Sequence, residues 1–503
     1  MSFADHLTIL PVLLPLAAGI GLLALRGAGI GVQRAASLLA TLALVPLAIA
    51  LFAATADGTH FVYRLGNWEA PFGIVLVADR LAAWMLLVTA AVAAFALLYA
   101  VNGTDHEGRH FHVLFQLQLF GLNGAFLTGD LFNLFVFFEI LLLASYGLLL
   151  HGGGRLRVKA GLHFVVINLI GSTLFLFAVG TLYGATGTLN MADLAVRLAA
   201  SPAGNTALVQ SAALLLFVVF ALKAALVPLY LWLPAAYGQT SAPVAALFAI
   251  MTKVGVYSIL RVYSLFTGLG DGPLAGLLDA WLLPLALVTL ALGVLGAAAS
   301  SGLRQQTAYF VVVSVGTLLV ALALGTPGAL AAGLYYLPHS TFATAALFLL
   351  ADSIARARGT LGDRFEPGPA LPRAAWLGGL FFAVAVAVSG LPPLSGFLAK
   401  FMLLQAAVST PHTSWVFAVV LIGGLIGVIV LARSGSLLFY RSQATEGAGP
   451  PPTLAALVPV AGLLALTMVL TIAAGPASEA AGDIASQLHA PRLYIDAVLG
   501  ARP

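Results

Sequence analysis

The sequence has 503 residues, of which 61% are hydrophobic and only 8% are charged, and its mean hydropathy is +1.05. Soluble domains carry roughly 25% charged residues, so this composition indicates an integral membrane protein. The formal net charge is +4, but the chain has no basic run that could bind nucleic acid. It also has no cysteine, which excludes thiolate-held iron–sulfur clusters, thiolate zinc sites and disulfides within the chain. We therefore expect no cofactor, no metal and no nucleic-acid partner.

Apolar runs long enough to span a bilayer follow one another along the chain. They lie near 7–25, 35–54, 79–101, 111–128, 130–150, 160–184, 208–238, 243–266, 275–299, 305–324, 329–352, 375–407, 414–440 and 453–475. The runs at 208–238 and 375–407 are interrupted by proline. The first ten residues lack the positive segment of a cleaved signal peptide, so the first run is predicted to be retained. The sequence thus predicts an all-α membrane fold of about fourteen helices, with one short outer hairpin within residues 60–77.

The basic residues predict the orientation, because cytoplasmic loops are enriched in lysine and arginine. With the N-terminus outside, 12 of the 22 basic residues fall in inner loops: Arg26, Arg34, Arg109, Arg155, Arg157, Lys159, Arg304, Arg356, Arg358, Arg364, Arg373 and Arg441. Only Arg64 and Arg197 fall in outer loops, and Arg492 and Arg502 in the tail. An even number of helices then places both termini on the outer, periplasmic side of a bacterial inner membrane. The polar tail after Gly475 is predicted to lie against that outer surface.

Three of the four lysines lie within predicted spans: Lys223, Lys253 and Lys400. A charge at the centre of a membrane helix costs roughly 2.5–3.5 kcal/mol on insertion scales, so such residues mark pathways more often than scaffolding. Lysine can lose its proton when it is desolvated, whereas arginine essentially cannot. These positions therefore predict groups that change protonation state on a proton or ion path. The alternative is a lysine near a span end that reaches the headgroups.

The acidic residues divide into one candidate for the proton path and several with expected structural roles. Glu139 is the only glutamate inside an apolar run, and we predict that it pairs with Lys223, so that the strength of the pair controls when Lys223 releases its proton. Asp130, at the start of the same span, is more simply a helix N-cap. Asp79, Asp279 and Asp352 lie near span ends, where a structural role is expected.

Histidine provides one candidate relay and one weaker candidate. His339 follows Pro338 and begins a polar patch with Ser340, Thr341 and Thr344 inside an apolar span. With an unperturbed pKa near 6.5, histidine could relay protons between lysines. A hydrogen-bonded packing histidine is the alternative. His163 is the weaker candidate.

Proline breaks two spans beside the lysines. Pro228 follows Lys223 by five residues, and Pro392 and Pro393 precede Lys400. Interrupted helices in both halves of a transporter are typical of inverted repeats. We predict four regions: helices 1–3 with the hairpin (1–110), a first repeat of helices 4–8 (111–266), a second repeat of helices 9–13 (275–440), and the last helix with the outer tail (441–503).

The segments TGDLFNLFVFFEILLLASYGLL, LKAALVPLYLWLPAAYGQTSAPVAALFAIMTKVGVYSILR and SGLPPLSGFLAKF resemble the large antiporter-like membrane subunits. These occur in Mrp-type cation/proton antiporters and in the proton-pumping arm of respiratory complex I, and the resemblance is strongest to the MrpD family of Mrp antiporters, also called PhaD or MnhD. It implies a fourteen-helix fold with inverted five-helix repeats and a polar axis at the membrane midplane. The matching positions are Glu139 and Lys223 as paired charges, Lys253 and His339 as relays, and Lys400 as the distal proton-exchange site.

The resemblance implies a proton-translocating subunit of a multisubunit Na⁺ or K⁺/proton antiporter, a secondary transporter and not an enzyme. Its expected partners are the other hydrophobic subunits of the complex, the lipid bilayer, protons and Na⁺ or K⁺. Three alternatives stay open at this point. One is a membrane-arm subunit of complex I or of a membrane-bound hydrogenase, another is an integral-membrane enzyme such as an acyltransferase, and the last is a scaffold whose buried charges are relics.

Overall fold

The computed structural model describes residues 6–270, 272–443 and 449–500, so Arg502 and part of the predicted C-terminal region lie outside the described residues. The first helices are α1 (Leu10–Ala24), α2 (Ile30–Ala54), α3 (Arg80–Ala100), α4 (Phe111–Leu127), α5 (Leu131–Leu150), α6 (Arg155–Thr186), α7 (Met191–Ala199), α8 (Thr206–Ala224), α9 (Trp232–Gln239) and α10 (Ala242–Thr267). They are followed by α11 (Asp279–Ala299), α12 (Leu303–Ala323), α13 (Pro327–Ala357), α14 (Ala374–Ser389), α15 (Ser395–Ala407), α16 (Thr413–Gly435), α17 (Leu454–Ile472), α18 (Ala474–Leu488) and α19 (Pro491–Leu499).

The helices match the predicted spans. Within the described ranges, 12 helices are long and apolar enough to cross a membrane. The shorter apolar helix α4 and the broken pair α14–α15 lie at the two remaining predicted positions. The all-α membrane fold is therefore confirmed. The short amphipathic helix α7 and the tail helices α18 and α19 were not predicted from the sequence.

The hairpin predicted within residues 60–77 is also present. Strand β1 (Phe61–Arg64) pairs antiparallel with β2 (Val75–Ala78), and Phe61 lies opposite Ala78. A second pair, β3 (Gly368–Pro369) with β4 (Ser442–Gln443), is parallel and only two residues long, and the sequence did not predict it.

Side-chain caps fix the start of two helices next to the hairpin. The Asp130 carboxylate accepts a hydrogen bond of 2.8 Å from the backbone N–H of Asn133, which confirms its predicted role as the N-cap of α5. Asp79 caps α3 in the same way by accepting from the N–H of Ala82 at 2.9 Å. Each cap satisfies one backbone donor that the helix itself leaves without a partner.

Several basic residues predicted in inner loops lie instead at helix ends. Arg155, Arg157 and Lys159 occupy the first two turns of α6, and Arg304 lies in the first turn of α12. The hydropathy pattern predicted that these two helices begin at 160 and 305, later than the observed starts at Arg155 and Leu303, because charged residues lower the hydropathy as loop residues do. A helix continues through such residues where its backbone hydrogen bonds can be kept at the membrane surface.

The two central helices of the bundle are α10 and α13. The most apolar 18-residue window of each is 100% buried, whereas only 28% of the corresponding window is buried in α1 and in α17. The lysine and histidine candidates on α10 and α13 therefore lie in the centre of the protein.

The first break separates α8 from α9. Helix α8 ends at Ala224, and Ala225 adopts a left-handed conformation with φ of 62°. The N–H of Leu226 donates to the Ala221 carbonyl at 2.9 Å, which closes the helix end before Pro228. The chain resumes as α9 only at Trp232.

The second break has the same local geometry. Helix α14 ends at Ser389, Gly390 is left-handed with φ of 71°, and the N–H of Leu391 donates to the Val386 carbonyl at 3.1 Å. Pro392 and Pro393 follow before α15 begins. Proline cannot donate a backbone hydrogen bond, so both spans stop and restart close to a lysine within the span.

Candidate functional site

Lys223 lies in the last turn of α8, directly before the first break. Its side chain is buried, with 7% of the residue exposed, and Nζ donates to Oδ1 of Asn168 on α6 at 3.2 Å. Nζ also lies 5.9 Å from the centroid of the Phe138 ring. The partial negative charge at a helix C-terminus, the amide oxygen and the ring face all favour a cation at this position.

Glu139 is half-buried on α5 and does not form the predicted ion pair with Lys223. Among the ion pairs of the described residues none joins these two charges, and the Glu139 carboxylate instead accepts a short hydrogen bond from the Ser172 hydroxyl. Asn168 and Ser172 are four residues apart on α6 and therefore lie on one face. The two polar side chains of α6 thus contact the lysine and the carboxylate separately, which corrects the prediction of direct contact.

Lys253 is fully buried on α10, with 0% exposure, and its Nζ donates to the Ser314 hydroxyl of α12 at 2.8 Å. Helix α10 also approaches the end of α8 closely beside Lys223. A Cβ atom added to Gly255 would lie 2.4 Å from the backbone nitrogen of Ala224, so only glycine allows this approach. The helices that carry Lys223 and Lys253 are therefore in direct backbone contact.

His339 lies on α13 and faces the second break. Its Nε2 lies 3.1 Å from the Ala387 carbonyl, and its Nδ1 lies 2.8 Å from the Ser395 hydroxyl at the start of α15. A carbonyl can only accept, so Nε2 carries a proton. At the first break, the carbonyl of Leu222 accepts from Nε1 of Trp232 at 3.2 Å, in the place where Ala387 accepts from the histidine.

Lys400 is half-buried on α15 and reaches back across the second break. Its Nζ donates to the carbonyl of Ser389, the last residue of α14, at 2.7 Å. The lysine thus binds the negative end of one half-helix while it is carried by the next. Each break thus has a lysine beside the end of its first half-helix: Lys223 belongs to the last turn of α8, and Lys400 binds the last residue of α14.

A cavity of about 30 Å³ lies beside the second break, between His339 and Lys400. Its polar lining comes from Ser314, Thr317, Tyr336, His339, Ser340, Thr344, Ser389 and Lys400. A cavity needs roughly 10–15 Å³ of space open to the centre of a water molecule to hold one water, so this cavity is large enough for about two waters with several polar partners. Ser314 also accepts from Lys253, so Lys253 contacts the wall of the cavity that His339 and Lys400 line.

The remaining candidate, His163, does not join this arrangement. Its side chain is exposed on α6, on the face that carries Leu162 and Val166 away from the bundle. Of the five residues predicted for the proton path, Glu139 contacts Ser172 of α6, and the other four each bond a polar group on a neighbouring helix.

Sequence reasoning missed the neutral partners of the charged groups. These are Asn168, Ser172, Ser314, Ser389 and Ser395. The signal that was present is the pair of polar residues four apart within the apolar run of α6. Serine is common in membrane helices, where it often bonds its own helix, so Ser314 carried no distinguishing pattern. Ser389 receives Lys400 through its backbone carbonyl, which any residue at that position has.

No cluster of three or more histidine, aspartate or glutamate residues that could hold a metal occurs in the described part of the chain. The lysine, histidine and glutamate side chains of the site can bind and release protons, and each is sensitive to the charge of the others.

The family model and the related sequences that this chain matches point to the same family. Residues 128–427 match the family described as NADH:quinone oxidoreductase/Mrp antiporter, transmembrane. The chain is 43% identical to the D-type subunit of a probable K⁺/H⁺ antiporter of Rhizobium meliloti, over 99% of this chain and 98% of that protein. It is 38% identical to the D-type subunit of an Na⁺/H⁺ antiporter of Alkalihalophilus pseudofirmus, over 98% of this chain and 99% of that protein.

A similar fold is present in a solved assembly. One chain in the structure of the Mrp complex from Dietzia sp. DQ12-45-1b superimposes with a TM-score of 0.86 at 29% sequence identity. The match covers 99% of this chain and 100% of that chain.

Proposed function

Because this chain belongs to the MrpD family of the Mrp-type antiporters, we propose that it is the proton-translocating subunit of a multisubunit monovalent cation/proton antiporter. Protons move along Glu139, Lys223, Lys253, His339 and Lys400, and the other membrane subunits of the complex are its partners. The names of its relatives include both K⁺ and Na⁺ as the exchanged cation. The observation that carries the proton path is the polar cavity shared by Ser314, His339 and Lys400.

The first half of the path lies between α5, α6 and α8. Glu139 and Lys223 each hold a neutral partner on α6, Ser172 and Asn168, so neither charge is neutralised by direct contact. The carboxylate still acts on the lysine through the low-dielectric interior, where electrostatic interactions are stronger than in water. This arrangement supports control of the Lys223 proton by the charge state of Glu139.

The second half contains a relay at His339. With Nε2 protonated toward the Ala387 carbonyl, neutral His339 accepts a hydrogen bond from the Ser395 hydroxyl at Nδ1. Ser395 has a second acceptor, the Thr467 carbonyl at 3.1 Å. When Nδ1 gains a proton, the histidine donates to Ser395 and the serine hydroxyl turns to Thr467. Both protonation states are therefore satisfied by rotation of one hydroxyl group.

The membrane potential supplies enough energy to bias these groups. Moving one charge through 100 mV is worth about 2.3 kcal/mol. A proton that arrives at or leaves Lys400 changes the charge felt by His339, and then by Lys253 and Lys223. Proton entry is thereby coupled to export of Na⁺ or K⁺ by the assembly.

We place the chain in the bacterial inner membrane with both termini on the outer side. The distribution of arginine supports this orientation. At the predicted inner end, Asp352 binds Arg304 at 2.5 Å and Arg356 at 2.7 Å, and Asp105 binds Arg34 at 2.6 Å. The basic residues of that end are thus held at the ends of the spans.

We also propose that residues 111–266 and 275–440 are two inverted repeats, each with one broken span. The matching hydrogen bonds of Leu226 to Ala221 and of Leu391 to Val386 support this proposal. So does the lysine at each break, although Lys223 precedes its break and Lys400 follows the other.

The test is cation-dependent proton transport in everted vesicles that carry the whole complex. We expect Lys223→Ala and Glu139→Ala to lose transport while the complex still assembles. Lys159→Ala is the matched control, because Lys159 is the exposed lysine at the start of α6, and we expect it to transport like the wild type.

Subunit abundance in each vesicle preparation is measured alongside transport. Normal transport by either Lys223→Ala or Glu139→Ala, at matched abundance, would return the residue to a structural role and remove it from the path.

A further inference from the structure

A polar stripe leads from Lys253 along α10 to the outer end of the bundle. Lys253, Tyr257 and Arg261 are spaced by four residues and lie along one side of the helix. The stripe spans about 12 Å from Lys253 to Arg261, at about 1.5 Å per residue. Tyr257 donates to the Phe126 carbonyl at 2.6 Å and lies 3.3 Å from Nε of Arg261, which donates to it. All three side chains are buried.

The outer end of this stripe is closed by an ion pair and an aromatic ring. Arg261 binds the Asp79 carboxylate at 2.6 Å, and its guanidinium lies 5.0 Å from the centroid of the Tyr494 ring. Arg261 and Tyr494 are 3% and 4% exposed, so the guanidinium and the ring are both shielded from solvent at this contact. Arginine keeps its charge, and a fixed positive charge is a barrier to cations and protons in a narrow passage.

Tyr494 belongs to the C-terminal segment α18–α19, which is anchored at the same point. Arg80, the neighbour of Asp79, binds Asp483 of α18 at 3.2 Å. At the start of α3, Asp79 thus binds α10 through Arg261, and Arg80 binds α18 through Asp483. Helix α18 also contacts α10 and α13, which carry Lys253 and His339. The segment therefore lies over the outer ends of the helices that form the path.

We propose that the C-terminal segment α18–α19 seals the outer end of the Lys253 stripe, with Tyr494 held against the Asp79–Arg261 pair as the closing contact. This inference rests on the proposed function in one respect, that Lys253 exchanges protons. The segment then prevents protons from reaching Lys253 directly from the outer side without cation exchange. Tyr494 is in this sense a positioning residue and does not itself carry protons.

The test is proton leak in everted vesicles that carry the whole complex, in choline buffer free of Na⁺ and K⁺. Respiration acidifies the lumen, it is then inhibited, and the decay of the pH gradient is followed with an acridine dye. We expect Tyr494→Ala to decay severalfold faster than the wild type. Tyr494→Phe keeps the ring over Arg261, and we expect it to decay at the wild-type rate.

The path of the leak is tested by a second substitution. In the Tyr494→Ala background, Lys253→Ala is expected to restore slow decay, because the leak runs through Lys253. Asp483→Asn releases the anchor at an exposed carboxylate and provides a milder variant if Tyr494→Ala does not assemble; it is expected to leak as well. Arg197→Gln, at an exposed arginine of the outer helix α7, is the charge-removal control and is expected to remain tight.

Wild-type decay by both Tyr494→Ala and Asp483→Asn, at normal abundance of the complex, would overturn the proposal. A fast leak that persists after Lys253→Ala would overturn it as well, since the protons would then take another route. Cation-driven transport by Lys253→Ala alone reports on the proposed function, so failure of one proposal is distinguished from failure of the other.

Discussion

His339 and Ser395 share a hydrogen bond of 2.8 Å across two helices, and the same serine hydroxyl lies 3.1 Å from the Thr467 carbonyl. The pair joins the central helix α13 to the start of α15, the half-helix that carries Lys400. The serine has one proton and two acceptors within reach, so its orientation must depend on whether Nδ1 of the histidine is protonated.

We expect Ser395→Ala to slow cation-dependent proton transport by about a hundredfold, the scale of loss when a positioned proton-transfer group is removed. The alanine cannot donate to neutral His339 or accept from its protonated form. Transport rates in everted vesicles measure the effect. Ser409→Ala, an exposed serine just after α15, is the control, and wild-type transport by Ser395→Ala would show that His339 needs no hydroxyl partner.

Substitution of Gly255 is expected to separate the helices that carry Lys223 and Lys253. The Cβ of Gly255→Ala would meet the backbone of Ala224 at 2.4 Å, and overpacking of this kind costs roughly 1–3 kcal/mol. We expect a lower melting temperature of the purified complex and reduced transport. Gly180→Ala is the matched control, because an added Cβ there meets nothing within 4 Å. Equal melting temperatures for the two variants would contradict this account of the contact.

Asn168→Leu is expected to remove the oxygen that receives the Lys223 ammonium group. A hydrogen bond to a charged group contributes about 1.5–3 kcal/mol, so the charged lysine becomes less favourable and proton uptake is slowed. The readout is the transport rate as a function of pH. Thr173→Leu changes an exposed polar residue of the same helix to the same side chain and is expected to have no effect. An unchanged pH profile for Asn168→Leu would exclude a role for this contact in transport.

The ion pair between Asp105 and Arg34 predicts a pH-dependent stability. Burial acts to raise the pKa of the Asp105 carboxyl, but hydrogen bonds and charge from Arg34 and His112 outweigh it and hold the pKa below its ordinary value. A lowered folded-state pKa stabilises the protein above the unfolded-state value of about 4, and this stability is lost as the pH falls below it.

We therefore expect Asp105→Asn to lower the melting temperature of the purified complex at pH 7, and the difference from the wild type to shrink below pH about 4. Glu366→Gln, at the exposed Arg364–Glu366 ion pair of 3.8 Å, is the control and is expected to change little. A difference for Asp105→Asn that is constant with pH would attribute the loss to packing and not to charge.

Most of the membrane fold was predictable because it depends on local properties. Length and apolarity identify the spans, and proline identifies the two breaks at Pro228 and at Pro392–Pro393. Asp130 was recognised as a cap from its position before an apolar run, and the hairpin from strand signals confined to one loop, residues 60–77. These features require no knowledge of which helices are neighbours.

The contacts within the site were not predictable, because they join residues far apart in the chain. Lys253 and Ser314 are separated by 61 residues, and Lys223 and Asn168 by 55. The expected Glu139–Lys223 ion pair is replaced by contacts through α6, since a charge pattern shows which groups require a partner but not which neutral side chain supplies it. Asp79 was expected to be structural, and its contact with Arg261 depends on the packing of α3 against α10.

The two broken spans differ in the side chain that donates to the carbonyl beside each break. The carbonyl beside the first break accepts from the indole of Trp232, which cannot release its proton under biological conditions, whereas the carbonyl beside the second accepts from the imidazole of His339, which can take up a second one. The two breaks therefore share a backbone geometry but not a chemistry, since only the second has a donor group that can also bind a further proton.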